Sequence, residues 1–200
     1  DLIYVEEANL SNKELKTIVN RKNINLKDLV SLQMLNLSNN LIKNISFLEN
    51  LPNIKELRLD NNQIESLLPI ENLNKLETLT ISNNEVSIIS SLTRTPLLKV
   101  LNISNNKITY TTSSLKIIKG LRWLRELSIG GNAFLEEVKG YRHVFINKYK
   151  NLEVLDGIQI THVDIDLAKT FIMESNFNNT WHNQSFNSTT NEDDHSAINK

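Results

Sequence analysis

Five copies of one pattern, LxxLxLxxN, run in phase through the chain and constrain its fold more than any other feature. They are Leu32-Leu35-Leu37-Asn40, Ile54-Leu57-Leu59-Asn62, Leu76-Leu79-Ile81-Asn84, Leu98-Leu101-Ile103-Asn106 and Leu124-Leu127-Ile129-Asn132, with asparagines 22, 22, 22 and 26 residues apart. Weaker copies stand at Val5-Ala8-Leu10 and Leu152-Leu155. Repetition at such a period is the mark of a solenoid, because one unit alone cannot bury its own apolar side chains. The rest of the unit repeats too. Ile42, Ile64, Val86, Ile108 and Phe134 follow the asparagines by two residues, Ile45, Leu67 and Ile89 by five, and Leu48, Ile70 and Leu92 by eight. Leu51 and Leu73 follow by eleven, where the third unit has Thr95 instead.

The alternation in LxL predicts a short strand with its aliphatic side chains on one face. All units run in the same sense, so the strands stack in parallel. An asparagine amide both donates and accepts, so Asn40, Asn62, Asn84, Asn106 and Asn132 are expected to form a ladder on backbone groups of adjacent coils. The return segment adds the remaining apolar residues to one continuous core.

These residues resemble the leucine-rich-repeat family, and the 22-residue period resembles its intracellular subclass, which includes a phosphatase-1 regulator and the U2 snRNP A-prime protein. The likeness covers roughly Val5 to Lys169. It implies an α/β fold, a right-handed leucine-rich-repeat solenoid with a curved parallel sheet on the concave face, short helical or 3-10 turns on the convex face, and a helical C-terminal cap. In that cap a Tyr-Arg pair starts a helix and a Leu-Asp-Gly turn closes the last coil, which points to Tyr141, Arg142, Leu155 and Asp156. Ala133 stands where the family has proline. The expected organisation is a repeat domain over 1–173 (atypical first repeat 1–28, repeats 29–134, cap 135–173) and a disordered tail or linker over 174–200 carrying Phe177, Trp181 and Phe186.

Three further helices are expected. A connector spans Asn12 to Asn20. A short helix in the lengthened fifth unit, capped by Ser113 or Ser114, carries Leu115, Ile118 and Leu121 inward, and Trp123 packs under its loop. A third runs from His162 to about Met173, started by Thr161-His-Val-Asp164 with the spacing of a capping box and carrying Val163, Leu167 and Phe171 on one face, as the outer flank of the cap or a lead into the next part of the protein.

Composition narrows the function. Net charge is −1, so no global field attracts nucleic acid or an anionic membrane. Cysteine is absent, which fits a reducing compartment and an intracellular address, cytoplasmic with cytoskeletal, ciliary or nuclear placement left open. The absence of an N-terminal Met suggests a fragment of a larger protein. The sequons Asn36-Leu-Ser38 and Asn102-Ile-Ser104 fall in strands, and no glycan is expected. His143, His162, His182 and His195 show no metal-ligand pairing, and Gly130-Gly131-Asn132 lacks the context of a phosphate loop. No nucleophile, base and orienting acid stand in an interpretable order. We therefore expect neither enzyme nor cofactor nor metal.

Function is then sought on the concave face. The side chains beside the inward leucines form lateral rows roughly 4.8 Å apart from strand to strand. One row is Met34, Glu56, Thr78, Val100, Glu126. The next is Asn36, Arg58, Thr80, Asn102, Ser128, and the third is Ser38, Asp60, Ser82, Ser104, Gly130. Gln33, Lys55, Glu77, Lys99 and Arg125 lie at the margin. Lys55, Glu56, Arg58, Asp60 and Glu77 read as a mixed-charge cluster beside a floor of small residues. The expected activity is that of a monomeric, non-catalytic interaction scaffold binding a protein helix or extended segment, with no direct nucleic-acid or membrane contact. A cytoskeletal or ciliary parent is the first reading. A regulatory subunit of a Ser/Thr phosphatase and a ribonucleoprotein assembly factor are the alternatives.

Overall fold

The computed structural model describes residues 4–18, 25–109, 112–133, 135, 138 and 140–188. Eight strands form one sheet in sequence order: β1 (Glu7–Asn9), β2 (Met34–Asn36), β3 (Glu56–Arg58), β4 (Thr78–Thr80), β5 (Val100–Asn102), β6 (Glu126–Ser128), β7 (Val154–Leu155) and β8 (Ile158–Gln159). The first seven are parallel. The last pair is antiparallel, a closing hairpin that the repeat pattern does not contain. Short 3-10 turns return the chain along the convex side, among them Leu26–Asp28, Ser46–Asn50, Leu68–Asn72 and Ser90–Arg94. The fold is a leucine-rich-repeat solenoid.

Every described in-phase aliphatic of the five units is buried, and the convex-side residues join the same core. Thr95 is 0% exposed although it stands in an apolar register. Its hydroxyl donates to the Leu92 carbonyl at 2.9 Å, which removes the cost of an unpaired buried polar group. Phe134 lies outside the described residues.

The asparagines form a regular lattice. Asn84 Oδ1 accepts the Ile64 N–H of the preceding coil at 2.9 Å, while Nδ2 donates to Leu59 O at 3.0 Å, Ile81 O at 3.2 Å and Ser82 O at 3.0 Å. Asn62 and Asn106 repeat this one coil earlier and one later. Asn132 accepts from Ile108 and donates to Ile103 O and Ile129 O. Asn40 accepts from both Lys13 and Leu15 and donates to Leu10 O, tying the atypical first coil to the rest.

The residue before each ladder asparagine has a positive φ: Asn39 (58°), Asn61 (56°), Asn83 (54°), Asn105 (51°) and Gly131 (71°). Asparagine tolerates this left-handed conformation better than other side chains, and glycine best of all. The Asn-Asn pairs of the sequence therefore divide two tasks, a backbone bend and a ladder rung. A Cβ at Gly131 would stand 1.9 Å from Asn105 Oδ1, so the Asn105 side chain would have to turn away.

The ends differ from expectation in instructive ways. Residues 12–18 hold no helix: Asn12 (57°) and Glu14 (54°) are both left-handed, which breaks the 3.6-residue pattern of the expected connector. Asn20 lies outside the described residues. At the other end α1 (Thr112–Gly120), α2 (Tyr141–Lys148) and α3 (His162–Ser188) follow β5, β6 and β8. Ser113 and Ser114 fall inside the first turn of α1. Helix α3 begins where expected and continues past Met173; residues 189–200 lie outside the described residues.

The buried side of α3 differs from the apolar face read in the sequence. Val163 (66%) and Leu167 (53%) are exposed, whereas Ala168 (0%) is buried and Ile165 packs against the core. Small size decides this: Ala168 lets the helix lie close on α2, and Phe171 covers Gly140, where a Cβ would stand 2.5 Å from the ring. His143 stacks on the same ring at 5.1 Å.

Tyr141, Arg142, Leu155 and Asp156 meet at the end of the sheet. Asp156 accepts the Ile129 and Gly130 N–H groups at 2.7 and 2.9 Å and the Tyr141 hydroxyl at 3.0 Å. Burial first, and then the Asp156 carboxylate, push the Tyr141 phenol up from its ordinary pKa, so it remains a donor. Arg142 donates to Leu155 O at 3.1 Å and lies 3.6 Å from Asp164. Asp164 is the acid of a true capping box: it accepts the Thr161 N–H at 2.8 Å and hydroxyl at 2.6 Å, and its own N–H donates to Thr161 Oγ1 at 3.3 Å.

Two outcomes follow. Asn84→Ala strands one buried N–H and deprives three carbonyls of a donor, and should cost about 3 kcal/mol or more in urea denaturation; Asn83→Gly should change stability by only a few tenths of a kcal/mol. The Thr161 hydrogen bonds hold the Asp164 carboxyl below its ordinary pKa. Its contribution is then full above the unfolded-state value and is lost as pH falls through the lower folded value. Amide-exchange protection in the first turn of α3, corrected for the intrinsic rate at each pH, should fall on acidification below the ordinary Asp range, and Asp164→Asn should weaken that acid dependence.

Candidate protein-binding face

Strand register fixes the lateral rows. Glu7, Met34, Glu56, Thr78, Val100, Glu126 and Val154 are successive partners across the sheet, and so are Asn9, Asn36, Arg58, Thr80, Asn102 and Ser128. Two of the three concave rows written from the sequence are therefore rows in space, each lengthened by β1.

Hydrogen bonding sorts the residues of these rows into two groups. In the first, side chains cap the exits of the strands. Asn9 accepts the Ser11 N–H, Asn36 the Ser38 N–H at 3.0 Å, and Asn102 the Ser104 N–H at 3.1 Å. Where the strand's own third residue is Thr80 or Ser128, a neighbouring acid supplies the acceptor. Asp60 accepts the Ser82 N–H at 2.8 Å, the Ser82 hydroxyl at 2.6 Å and the Thr80 hydroxyl; Asp156 does the same for Gly130. Asp60 is thus a structural acceptor and does not act as a free member of the charge cluster. The small-residue floor is likewise tied into its own strand ends, with Ser38 and Ser82 each 9% exposed.

In the second group, charges remain at the surface. Arg58 pairs with Glu56 on its own strand at 2.6 Å. Lys99 pairs with Glu77 across strands at 2.6 Å, and Arg125 lies 3.5 Å from Glu153. The 22-residue offset thus pairs Glu77 with Lys99, the basic residue one coil onward. Exposed pairs of this kind contribute about 0–1 kcal/mol each, so they are available to exchange partners. Among the described residues Lys55 and Glu126 take part in no ion pair and are exposed.

Two hollows of this face, among the described residues, lie at its N-terminal end. One of about 210 Å³ is lined by Glu6, Glu7, Gln33, Met34, Lys55, Glu56, Glu77 and Thr78. The other, of about 360 Å³, is bounded by Asn9, Asn36 and Arg58 and shares Glu7, Met34 and Glu56 with the first. Met34, 37% exposed, stands between them. Lys55, Glu56, Arg58, Glu77, Thr78, Met34 and Asn36 thus come together, whereas Lys99, Asn102, Arg125, Glu126 and Ser128 border neither hollow. Glu6, Glu7 and Asn9 were missed in the sequence. Extending the rows back through Val5-Ala8-Leu10 finds them. Trp123, expected to pack, is 55% exposed. Among the described residues no group of His, Asp and Glu is arranged to hold a metal ion, and no helix is long and apolar enough to cross a membrane.

Leucine-rich-repeat family models match residues 30–74 and 97–121. No curated protein matches the sequence. Among solved structures the chain is similar to an internalin of Listeria monocytogenes, at 28% identity and TM-score 0.55, over 65% of this chain and 36% of that one. It is also similar to internalin C2 of the same organism, at 24% identity and TM-score 0.51, over 65% of this chain and 63% of that one. A leucine-rich-repeat protein of Leptospira interrogans aligns at 24% identity and TM-score 0.59, over 78% of this chain and 43% of that one. The chain therefore spans between about a third and two thirds of the length of these proteins.

The two groups of residues should respond differently to substitution. Asp60→Ala deprives the Ser82 N–H and two hydroxyls of their acceptor and should cost about 1–3 kcal/mol in denaturation, whereas Arg58→Gln should stay within about 0.5 kcal/mol.

Proposed function

We propose, on the premise that this chain folds as a leucine-rich-repeat solenoid, that it is a non-catalytic protein-interaction module whose partner seats on the concave face at its N-terminal end. The observation that carries this reading is the pair of hollows flanking Met34. They combine an exposed apolar side chain with unpaired or weakly paired charges. A partner there exchanges surface ion pairs for new ones and covers Met34, without having to break the ladder or the strand-end caps. The contact residues are Glu6, Glu7, Met34, Lys55, Glu56, Arg58, Glu77 and Thr78. Asn36 borders the second hollow, and Thr80, Lys99, Asn102, Arg125, Glu126 and Ser128 extend the face toward the C-terminal end. A helix or an extended segment lying across the strands meets successive rows roughly every 4.8 Å.

The resemblance of the 22-residue unit to the intracellular subclass supports a cytoskeletal or ciliary assembly as the setting. The face carries fewer acids and aromatics than that of the subclass's phosphatase regulator, which weighs against the phosphatase reading.

Site-specific photo-crosslinking tests the proposal. A photoreactive amino acid placed at Thr78 in the full chain, in its native cell, should yield a discrete protein adduct. The same probe at Thr93 on the convex side should not. Charge exchange at Glu56→Lys with Arg58→Glu should reduce the Thr78 adduct severalfold. An adduct from Thr93 alone, or a Thr78 adduct indifferent to that exchange, would reject this face.

A further inference from the structure

A second cleft, away from the concave face, carries a different charge. It has a volume of about 200 Å³ and lies between the C-terminal end of α1 and the segment that leaves α2. Its floor is aliphatic, formed by Ile118, Leu121 and Leu152, and its rim is Lys119, Arg122, Lys148 and Lys150. All four cations are exposed, and no acidic residue lines the cleft. Among the described residues no carboxylate lies within ion-pair distance of any of the four. Lys150 has only the neutral Asn147 side chain, at 2.9 Å.

Helix electrostatics account for half of this cluster. Lys119 and Lys148 sit in the last turns of α1 and α2, where a cation complements the negative end of the helix dipole. Arg122 and Lys150 lie beyond both helices and have no such role. Overall composition does not account for them either, since the chain's net charge is −1. Four like charges around an apolar recess repel one another unless an anion joins them.

We infer that this cleft is a docking site for an acidic peptide segment of another protein, one apolar side chain entering the recess while flanking Asp or Glu residues meet the four cations. The recess favours a peptide over a lipid surface. A bilayer is engaged by apolar groups that protrude, whereas here the apolar floor is sunk below the charged rim. The site does not depend on the concave-face reading, and the two can fail separately.

The test is fluorescence anisotropy with the full chain and a labelled peptide of Asp and Glu around a central Leu. Saturable binding is expected that weakens steeply with salt. It should fall roughly tenfold or more both in the Arg122→Glu, Lys150→Glu variant and when the peptide's acids become amides. The Glu56→Lys, Arg58→Glu variant should bind as the parent does. A second variant, Arg122→Gln with Lys150→Gln, tests the same point without reversed charge, and circular dichroism confirms that each variant is folded. Absence of saturable binding, equal binding by the amide peptide, or unchanged binding in both cleft variants overturns the proposal. So does tighter binding to phosphatidylserine-containing vesicles than to the peptide, lost through the same substitutions.

Discussion

One buried amide per coil holds this molecule together. A ladder asparagine serves its own strand end and the coil before it at once. Asn84, for example, bonds Ile64 N–H and Leu59 O of one coil and Ile81 O and Ser82 O of its own. Without it the Ile64 N–H would be buried unpaired, at about 1–3 kcal/mol, and each carbonyl would keep one donor of its two, from Asn62, Asn106 or the Asn61 N–H. The aliphatic core fills whatever space the coils leave, but it is non-directional and does not fix how far one coil is rotated against the next. The amides do, and the strand register follows from them. The left-handed residue ahead of each rung is part of the same device, because it turns the amide inward.

Once the register is fixed, the concave face is fixed as well. Its polar groups are less available than their exposure suggests. Oxygens of Asn9, Asn36, Asp60, Asn102 and Asp156 are committed to N–H groups at the strand exits. What remains for recognition is a smaller set at the N-terminal end, where Glu6 and Glu7 of the first coil join Met34, Lys55 and Glu56. Rigidity beneath and exchangeable ion pairs above suit a surface that binds without rearranging.

Much of this was legible in the sequence, since a strict period carries its own register. Leu35, Leu57, Leu79, Leu101 and Leu127 align as the spacing demands, whereas the bonds of Tyr141 to Asp156 and of Arg142 to the Leu155 carbonyl are visible only in the structure. The failures fall where the period does not reach. Asn12 and Glu14 adopt a conformation that no hydrophobic pattern reports. The buried side of α3 was not legible, because Val163 and Leu167 are exposed while the small Ala168 is fully buried. Asp60 looked like a free surface acid because its acceptor role crosses from one coil to the next, a relation visible only once the strands are paired.

That crossing has a consequence for how such a chain can change length. Asp60 belongs to the coil of β3 yet completes the strand of β4, and Asp156 stands in the closing turn yet completes β6. By contrast, the exits of β2 and β5 are completed from within by Asn36 and Asn102. Units of equal length are therefore not interchangeable. Deleting the period that contains Asp60 would leave Ser82 without its acceptor, whereas deleting the period that contains Asn102 and Ser104 would remove an acceptor together with the group it serves. Gain and loss of coils in a lineage of this kind should be tolerated unevenly along the solenoid, at boundaries set by which strand looks after its own end.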